Sequence, residues 1–338
     1  MKPYLRADLL SVLDGTPEQT TWDIPALRKG GEELFGSITP DMSGACMRLE
    51  YLHGMEMRII SPEASSPEAS DASQALGKCT QNNSECTDAS TSTSPQVSAV
   101  ILSIHGGGYV AGMARYDDEK NAYMAVRLNA DVVSPEYRLA PEHPFPAGID
   151  DCLAALRWCA RRAADQGVPL YVFGDSAGGG LAYFCALRYH NEMRARSAAD
   201  SGGEASLAPI SGIILLEPCL DPRTNTQSFY TYANGPVWTH RAGETAWAVT
   251  ATSDQAQAEV VRMLEDPQLV AGLPKVMIVA NPADPLRDED IALAQHLADC
   301  GISAELHMYA GTFHGSLSVS GNPVWEELLM LIKRFISC

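Results

Sequence analysis

Hydrophobic and polar positions fall into short blocks along most of this chain. Residues 47–60, MRLEYLHGMEMRII, form two strand-like runs about a His53-Gly54 turn. From residue 97 the rhythm becomes regular. Short continuous apolar runs predict strands at 97–104, 130–134, 169–174, 210–217, 275–280 and 303–310. Between them, apolar positions recur every three to four residues. That spacing predicts helices over 116–128, 150–164 and 177–193, another between the last two strands, and a closing helix over 323–336. Strands apolar on both faces and alternating with helices predict an α/β fold with a mostly parallel sheet covered on both sides.

Two stretches break the pattern. SPEAS occurs twice in tandem, at 61–65 and 66–70, and Ser, Thr, Asn and Asp dominate onward to about residue 96. A segment so polar buries little, so 61–96 is expected to be a disordered surface insertion. The glycosylation sequon at Asn82-Asn83-Ser84 falls inside it and is read as chance. The second stretch, 219–270, follows a Gly/Ser/Ala loop at 197–208 and the strand at 210–217. It concentrates Phe229, Tyr230, Tyr232, Trp238 and Trp247. Such a stretch is either a satellite core or a lid over an apolar pocket.

Composition narrows the functional classes. The 338 residues could hold one large α/β domain or two ordinary ones, and 46% hydrophobic with 20% charged residues is enough for a sizeable core. The net charge of −18, with no basic stripe, disfavours nucleic acid and anionic lipid surfaces as partners. No apolar run approaches the roughly 20 residues of a membrane span, and the N-terminal MKPYLRADLLSVLDG lacks a signal-peptide core. A cytoplasmic protein without stable membrane association is therefore expected. The nine cysteines include no C-x-x-C pair; Cys152, Cys159, Cys185 and Cys219 fall on or beside predicted elements, as buried free thiols would.

Residues 169–181, PLYVFGDSAGGGL, carry the first chemistry. A strand runs into Gly174-Asp175-Ser176-Ala177-Gly178, and a helix starts at once. That is G-x-S-x-G, whose small residues permit a turn sharp enough to lift the Ser176 hydroxyl clear of the sheet. Alone, the same letters fit a glycine-rich strand-to-helix turn that happens to contain serine. A serine needs a base, and the base needs an orienting acid. Asp284 follows the strand at 275–280, and His314 follows the strand at 303–310, in the order serine, acid, histidine. Asp288, Glu289 and Asp290 sit in a first helical turn, where carboxylates serve as caps. His296, His307, His190 and His240 lie in helices, mid-strand or in the lid-like stretch, so Asp284 and His314 are the expected partners.

The run ILSIHGGGYVA at 101–111 admits two readings. Gly106, Gly108 and Ala111 fit a dinucleotide-binding loop, with Glu136 as the ribose-binding carboxylate. Alternatively, the amides of Gly106 and Gly107 join that of Ala177 around a developing oxyanion, each donor typically worth roughly 3 kcal/mol of transition-state stabilisation. The second reading accounts for Ser176, Asp284 and His314 as well, and leaves His105 to orient the loop.

Taken together, HGGGYVAG, PEYRLAPEHPFPAGIDD (135–151), GDSAGGGLA, DPLRDE and FHGS resemble the hormone-sensitive-lipase-like family of α/β-hydrolases, in its G-D-S-A-G branch, over roughly residues 97–338. The resemblance implies a serine carboxylesterase acting on short to medium acyl chains with no metal or organic cofactor. It implies Ser176 as nucleophile, Asp284 as acid, His314 as base, and Gly106, Gly107 and Ala177 as oxyanion donors. It also implies a cap built from the N-terminal segment (1–46) and the 219–270 insertion on a hydrolase domain (47–338), and it is compatible with a homodimer. Tyr109, Phe229, Trp238 and Trp247 are then the expected pocket residues. Their aromatic character suggests an apolar, ring-containing small-molecule ester, such as an acetyl ester. Arg138 and Glu142 are placed to pair. The chain departs from the family at Gly180, where asparagine is frequent, at Glu217, where an apolar or tyrosyl residue is usual, and at Asn281-Pro282. The competing readings are a receptor-like binding protein and a dehydratase using the same pocket.

Overall fold

The computed structural model describes residues 4–13, 22–63, 97–198, 207–319 and 321–337. Its strands are β1 (Ala45–Leu52), β2 (Met55–Pro62), β3 (Ala99–Ile104), β4 (Ala130–Pro135), β5 (Leu170–Asp175), β6 (Ile210–Leu216), β7 (Lys275–Ala280) and β8 (Ala304–Met308). They form one sheet in the order β1-β2-β4-β3-β5-β6-β7-β8. β1 and β2 make a hairpin about His53-Gly54, and β2 also pairs antiparallel with β4. From β4 to β8 every pairing is parallel. That is why the apolar runs from residue 97 onward alternate with helices: a parallel neighbour is reached only by a crossover.

The helices are α1 (Ile24–Phe35), α2 (Asp118–Leu128), α3 (Ala147–Gln166), α4 (Ala177–Ala198), α5 (Gln227–Thr231), α6 (His240–Thr250), α7 (Asp254–Glu265), α8 (Pro267–Val270), α9 (Arg287–Asp299) and α10 (Pro323–Ser337). Successive strand residues point to opposite faces. Val100, Leu102 and Ile104 pack with α3, α4 and α9, whereas Ala99 and Ile101 pack with α2 and α10. Each large side chain fully buried in these layers contributes about 1.5–3 kcal/mol. Asn129 and Gly167 end α2 and α3 in left-handed conformations, the usual stop signal for a helix.

The expected elements are present with ends displaced by a few residues. β2 extends through Ser61 and Pro62, two residues into the run read as an insertion, because Ser61 hydrogen-bonds Asp131 on the adjacent strand. The rest of that run and the sequon lie outside the described residues, as do 199–206 of the loop expected at 197–208. The Arg138–Glu142 pair is not formed. Arg138 donates to Asp151 from two guanidinium nitrogens at 2.8 Å, and Glu142 accepts from Arg28 of α1. A four-residue spacing brings side chains together on a helix, and 138–142 is no helix. Arg28 also donates to the carbonyls of Val110 and Ala140, both at 2.7 Å, tying α1 over the glycine-rich loop. No disulfide links the described cysteines, and Cys152, Cys159, Cys185 and Cys219 are buried.

Candidate active site

Three loops at the C-terminal ends of strands converge on one point. The first is the turn from β5 into α4. Ser176 has φ +56°, a left-handed conformation that strains a residue with a side chain. Backbone hydrogen bonds hold it there: Ser176 N donates to Leu216 O, and Ser176 O accepts from Gly180 N and Cys219 N. The glycines are sterically required. A β-carbon on Gly174 would stand 2.1 Å from Gly178 O, and one on Gly178 would stand 2.1 Å from Ile104 O.

The second loop carries Asp284, just after β7. Its Oδ1 accepts from Leu286 N at 2.9 Å, which fixes the carboxylate. The third carries His314, after β8. Its Nδ1 lies 2.8 Å from Asp284 Oδ2, and its Nε2 lies 2.9 Å from Ser176 Oγ. All three residues are buried. With Nδ1–H donating to the carboxylate, Nε2 is left as the acceptor that faces the serine hydroxyl. Burial alone would push the imidazole down, but the charges of Asp284 and Glu217 reverse this and raise it to about 9. The sequence thus named three residues that the fold brings into one hydrogen-bonded chain. Asp288, by contrast, accepts from Ser228 N, and Glu289 from Leu220 N, as anchors of the 219–270 stretch.

The glycine run follows β3. Gly107 has φ +121° and Gly108 φ +61°, and a β-carbon on Gly106 would stand 3.1 Å from Asp175 O, so the loop backbone lies against the serine turn. Among the described residues, the turn and loop hydrogen bonds include none donated by the Gly106, Gly107 or Ala177 amides. His105 Nδ1 donates to Gly106 O at 2.8 Å, and its ring stacks on Tyr137. Burial pushes its pKa down to about 4, which keeps it neutral and unsuited to act as base near pH 7. Glu136, the carboxylate a dinucleotide loop would recruit, instead accepts from Ala114 N at 2.9 Å and anchors the segment after the glycines.

A cavity of about 740 Å³ opens over Ser176 and His314. Trp22, Leu27 and Phe35 of the N-terminal segment, Met113 and Tyr116 beyond the glycine loop, and Trp238 of the 219–270 stretch give it an apolar wall. Trp22 meets Trp238 edge to face, with ring centres 5.0 Å apart. Of the four aromatic residues expected in the pocket, only Trp238 lines this cavity. Tyr109 is buried with its hydroxyl on Cys219 O, and it packs on Trp247 beside a separate gap of about 30 Å³. Phe229 is fully buried against Gly243. Those three positions are corrected from pocket to interior. The sequence reading missed Trp22, Phe35 and Tyr116, whose only signal was aromatic character in segments lacking motif residues.

Comparison with known proteins agrees with this geometry. Residues 101–318 match the model of an alpha/beta hydrolase fold family. Carboxylesterase NlhH of Mycobacterium tuberculosis is 35% identical over 224 residues, 64% of this chain and 66% of the relative, so the match spans just under two thirds of that protein. An ethyl acetate hydrolase of Pseudomonas putida is 30% identical over 242 residues, 70% of this chain and 72% of the relative. Among solved structures, a bacterial heroin esterase superposes with a TM-score of 0.76 at 28% identity, covering 98% of both chains. The chain belongs to the α/β hydrolase family, in its hormone-sensitive-lipase-like branch. Among the described residues, no helix is long and apolar enough to cross a membrane.

Proposed function

We propose that this protein is a serine carboxylesterase that hydrolyses short-acyl esters of apolar, ring-containing small molecules. The observation that carries the reading is the chain Ser176–His314–Asp284, bonded at 2.9 and 2.8 Å and facing a cavity beside the glycine loop. His314 takes the Ser176 proton as the oxygen attacks the ester carbonyl, and an acyl-enzyme forms. His314 then gives that proton to the leaving alcohol and activates water for the second half of the reaction. Asp284 holds the imidazole tautomer. The amides of Gly106, Gly107 and Ala177 receive the oxyanion; glycine suits the loop because a side chain there would crowd the substrate.

The substrate class rests on the aromatic wall of the cavity and on the relatives named as an ethyl acetate hydrolase and a heroin esterase. The N-terminal segment and the 219–270 stretch act as the cap, since each contributes residues to that wall. Ser176→Ala is expected to abolish hydrolysis of p-nitrophenyl acetate and labelling by a fluorophosphonate probe. Turnover at the wild-type rate in that variant would overturn the assignment, and a wild-type enzyme that resists the probe would favour a binding protein instead.

A further inference from the structure

Two carboxylates approach His314. Asp284 Oδ2 is bonded to Nδ1, and Glu217 Oε1, at the end of β6, stands 3.9 Å from the same nitrogen. Glu217 is 1% exposed and has φ +39°, a left-handed conformation that costs free energy in a residue with a side chain. Both its oxygens are engaged. Oε1 accepts from Gly315 N at 2.6 Å, one residue beyond the histidine, and Oε2 accepts from Asn281 Nδ2. The same Asn281 amide donates to Asp284 Oδ2 at 3.2 Å, so one side chain bridges the two acids.

A neutral acceptor would satisfy the Gly315 amide at smaller desolvation cost than a carboxylate. The reason for an acid must therefore lie in a charge nearby. Glu217 is faced by Asp175 from the end of β5, Asp284 from the loop after β7, and His314. Asp290 on α9 lies close enough to interact with Glu217 and Asp284. Lys120, the nearby lysine, is engaged by Asp117 and Asp175. The imidazolium formed during the reaction is the cation that Glu217 meets directly. Burial raises Glu217 to about 8 although the positive charge of His314 opposes that rise, so protonation of the ring shifts the acid toward its ionised form.

We propose that Glu217 is a positioning residue: it anchors the His314–Gly315 loop and shares with Asp284 the stabilisation of the imidazolium. The proposal deepens the esterase reading and rests on it. It follows that Asp284 is not the sole source of compensating charge, and that its neutralisation is partly absorbed.

The test combines Glu217→Gln, Glu217→Ala, Asp284→Asn and the double variant Asp284→Asn/Glu217→Gln. NMR titration of the His314 ring, with no substrate present, follows its proton directly. Glu217→Gln is expected to lower that titration midpoint by about one pH unit or more, and to move the acid limb of kcat/KM by the same amount with KM little changed. Asp284→Asn is expected to lose less than about 100-fold in kcat, against the roughly 10⁴-fold loss seen where a triad acid acts alone. Adding Glu217→Gln to it should remove a further tenfold or more. A loop anchor without an electrostatic role would give the opposite pattern. Glu217→Gln would then restore what Glu217→Ala loses and leave the His314 titration unmoved, and that overturns the proposal. Should Glu217→Gln fail to fold, the Asp284→Asn loss decides alone, a value near 10⁴-fold overturning the shared role. If the wild-type protein hydrolyses no ester, the esterase reading fails while the titration still tests Glu217.

Discussion

Gly178 is the position where fold and chemistry are most tightly linked, and Gly178→Ala measures that link. The glycine lies in the first turn of α4, two residues after Ser176, with its α-carbon against the backbone at the end of β3. An added β-carbon would stand 2.1 Å from Ile104 O and 2.5 Å from His105 O. Real β-carbons essentially never approach within 3.0 Å, and backbone oxygens cannot rotate away, so helix and loop must separate by about 1 Å. The Ala177 amide moves with the helix, and the Gly106 and Gly107 amides stay with the loop. Opening a three-donor site by that amount is comparable to losing one donor. That loss typically costs about 10²–10³-fold, or roughly 3–4 kcal/mol. The strain itself should destabilise the fold by about 1–3 kcal/mol. Steady-state hydrolysis of p-nitrophenyl acetate should show kcat lowered 10²–10³-fold with KM changed little, and calorimetry should show a Tm lower by several degrees. Gly30→Ala on α1, where an added methyl meets nothing within 4 Å, is the control and should keep full activity. A Gly178→Ala enzyme within threefold of wild type would refute the idea that the two halves of the oxyanion site are held together through this close contact.

Two further outcomes follow from the site. His314, raised to about 9, must lose its proton before it can take one from Ser176. The active form therefore grows as pH rises, and kcat/KM should climb about tenfold per pH unit and level off near 9; a flat profile from pH 6 upward would contradict the two-carboxylate environment. Trp238→Ala removes a buried ring that lies edge to face with Trp22 and 5.6 Å from the His314 ring centre. Burial of an aromatic group is worth about 1.5–3 kcal/mol, so kcat/KM for an aryl acetate should fall about 10–100-fold, and that for ethyl acetate much less. Equal losses for both esters would place the aryl group elsewhere.

The residues that were legible in the sequence are those whose constraints are local. Strands β3 to β7 are almost wholly buried on both faces, so each appears as a predominantly apolar run whatever it packs against. Gly174 and Gly178 contact each other within one turn, so the serine motif can be recognised from five letters. Asp284 and His314 follow strands, where chain order and topology alone place them beside Ser176. Arg138 shows the limit of such reasoning. Its true partner, Asp151, lies thirteen residues away on α3, and the nearer Glu142 is claimed by Arg28 of α1.

The pocket belongs to a different category, because an aromatic residue looks the same in sequence whether it lines a cavity or fills a core. Phe229 is drawn inward because Gly243 leaves space for its ring, and Trp247 because Tyr109 lies beneath it. Tyr109 in turn occupies the place beside Gly180 that a longer side chain would take: a β-carbon there would stand 2.2 Å from the tyrosine oxygen. The family departure at Gly180 and the inward turn of Tyr109 are therefore one packing arrangement. The same argument separates Glu217 from the other acids. The run ILLEP at 214–218 marks Glu217 only as a departure from the family, yet the β6–β7 pairing continues into a bond from Glu217 N to Val279 O, which brings its carboxylate level with Asn281 and the His314 loop. The proposed catalytic residues are thus marked by short motifs. The cavity wall at Trp22 and Trp238 and the second carboxylate beside His314 arise from contacts that only the folded sheet brings into register.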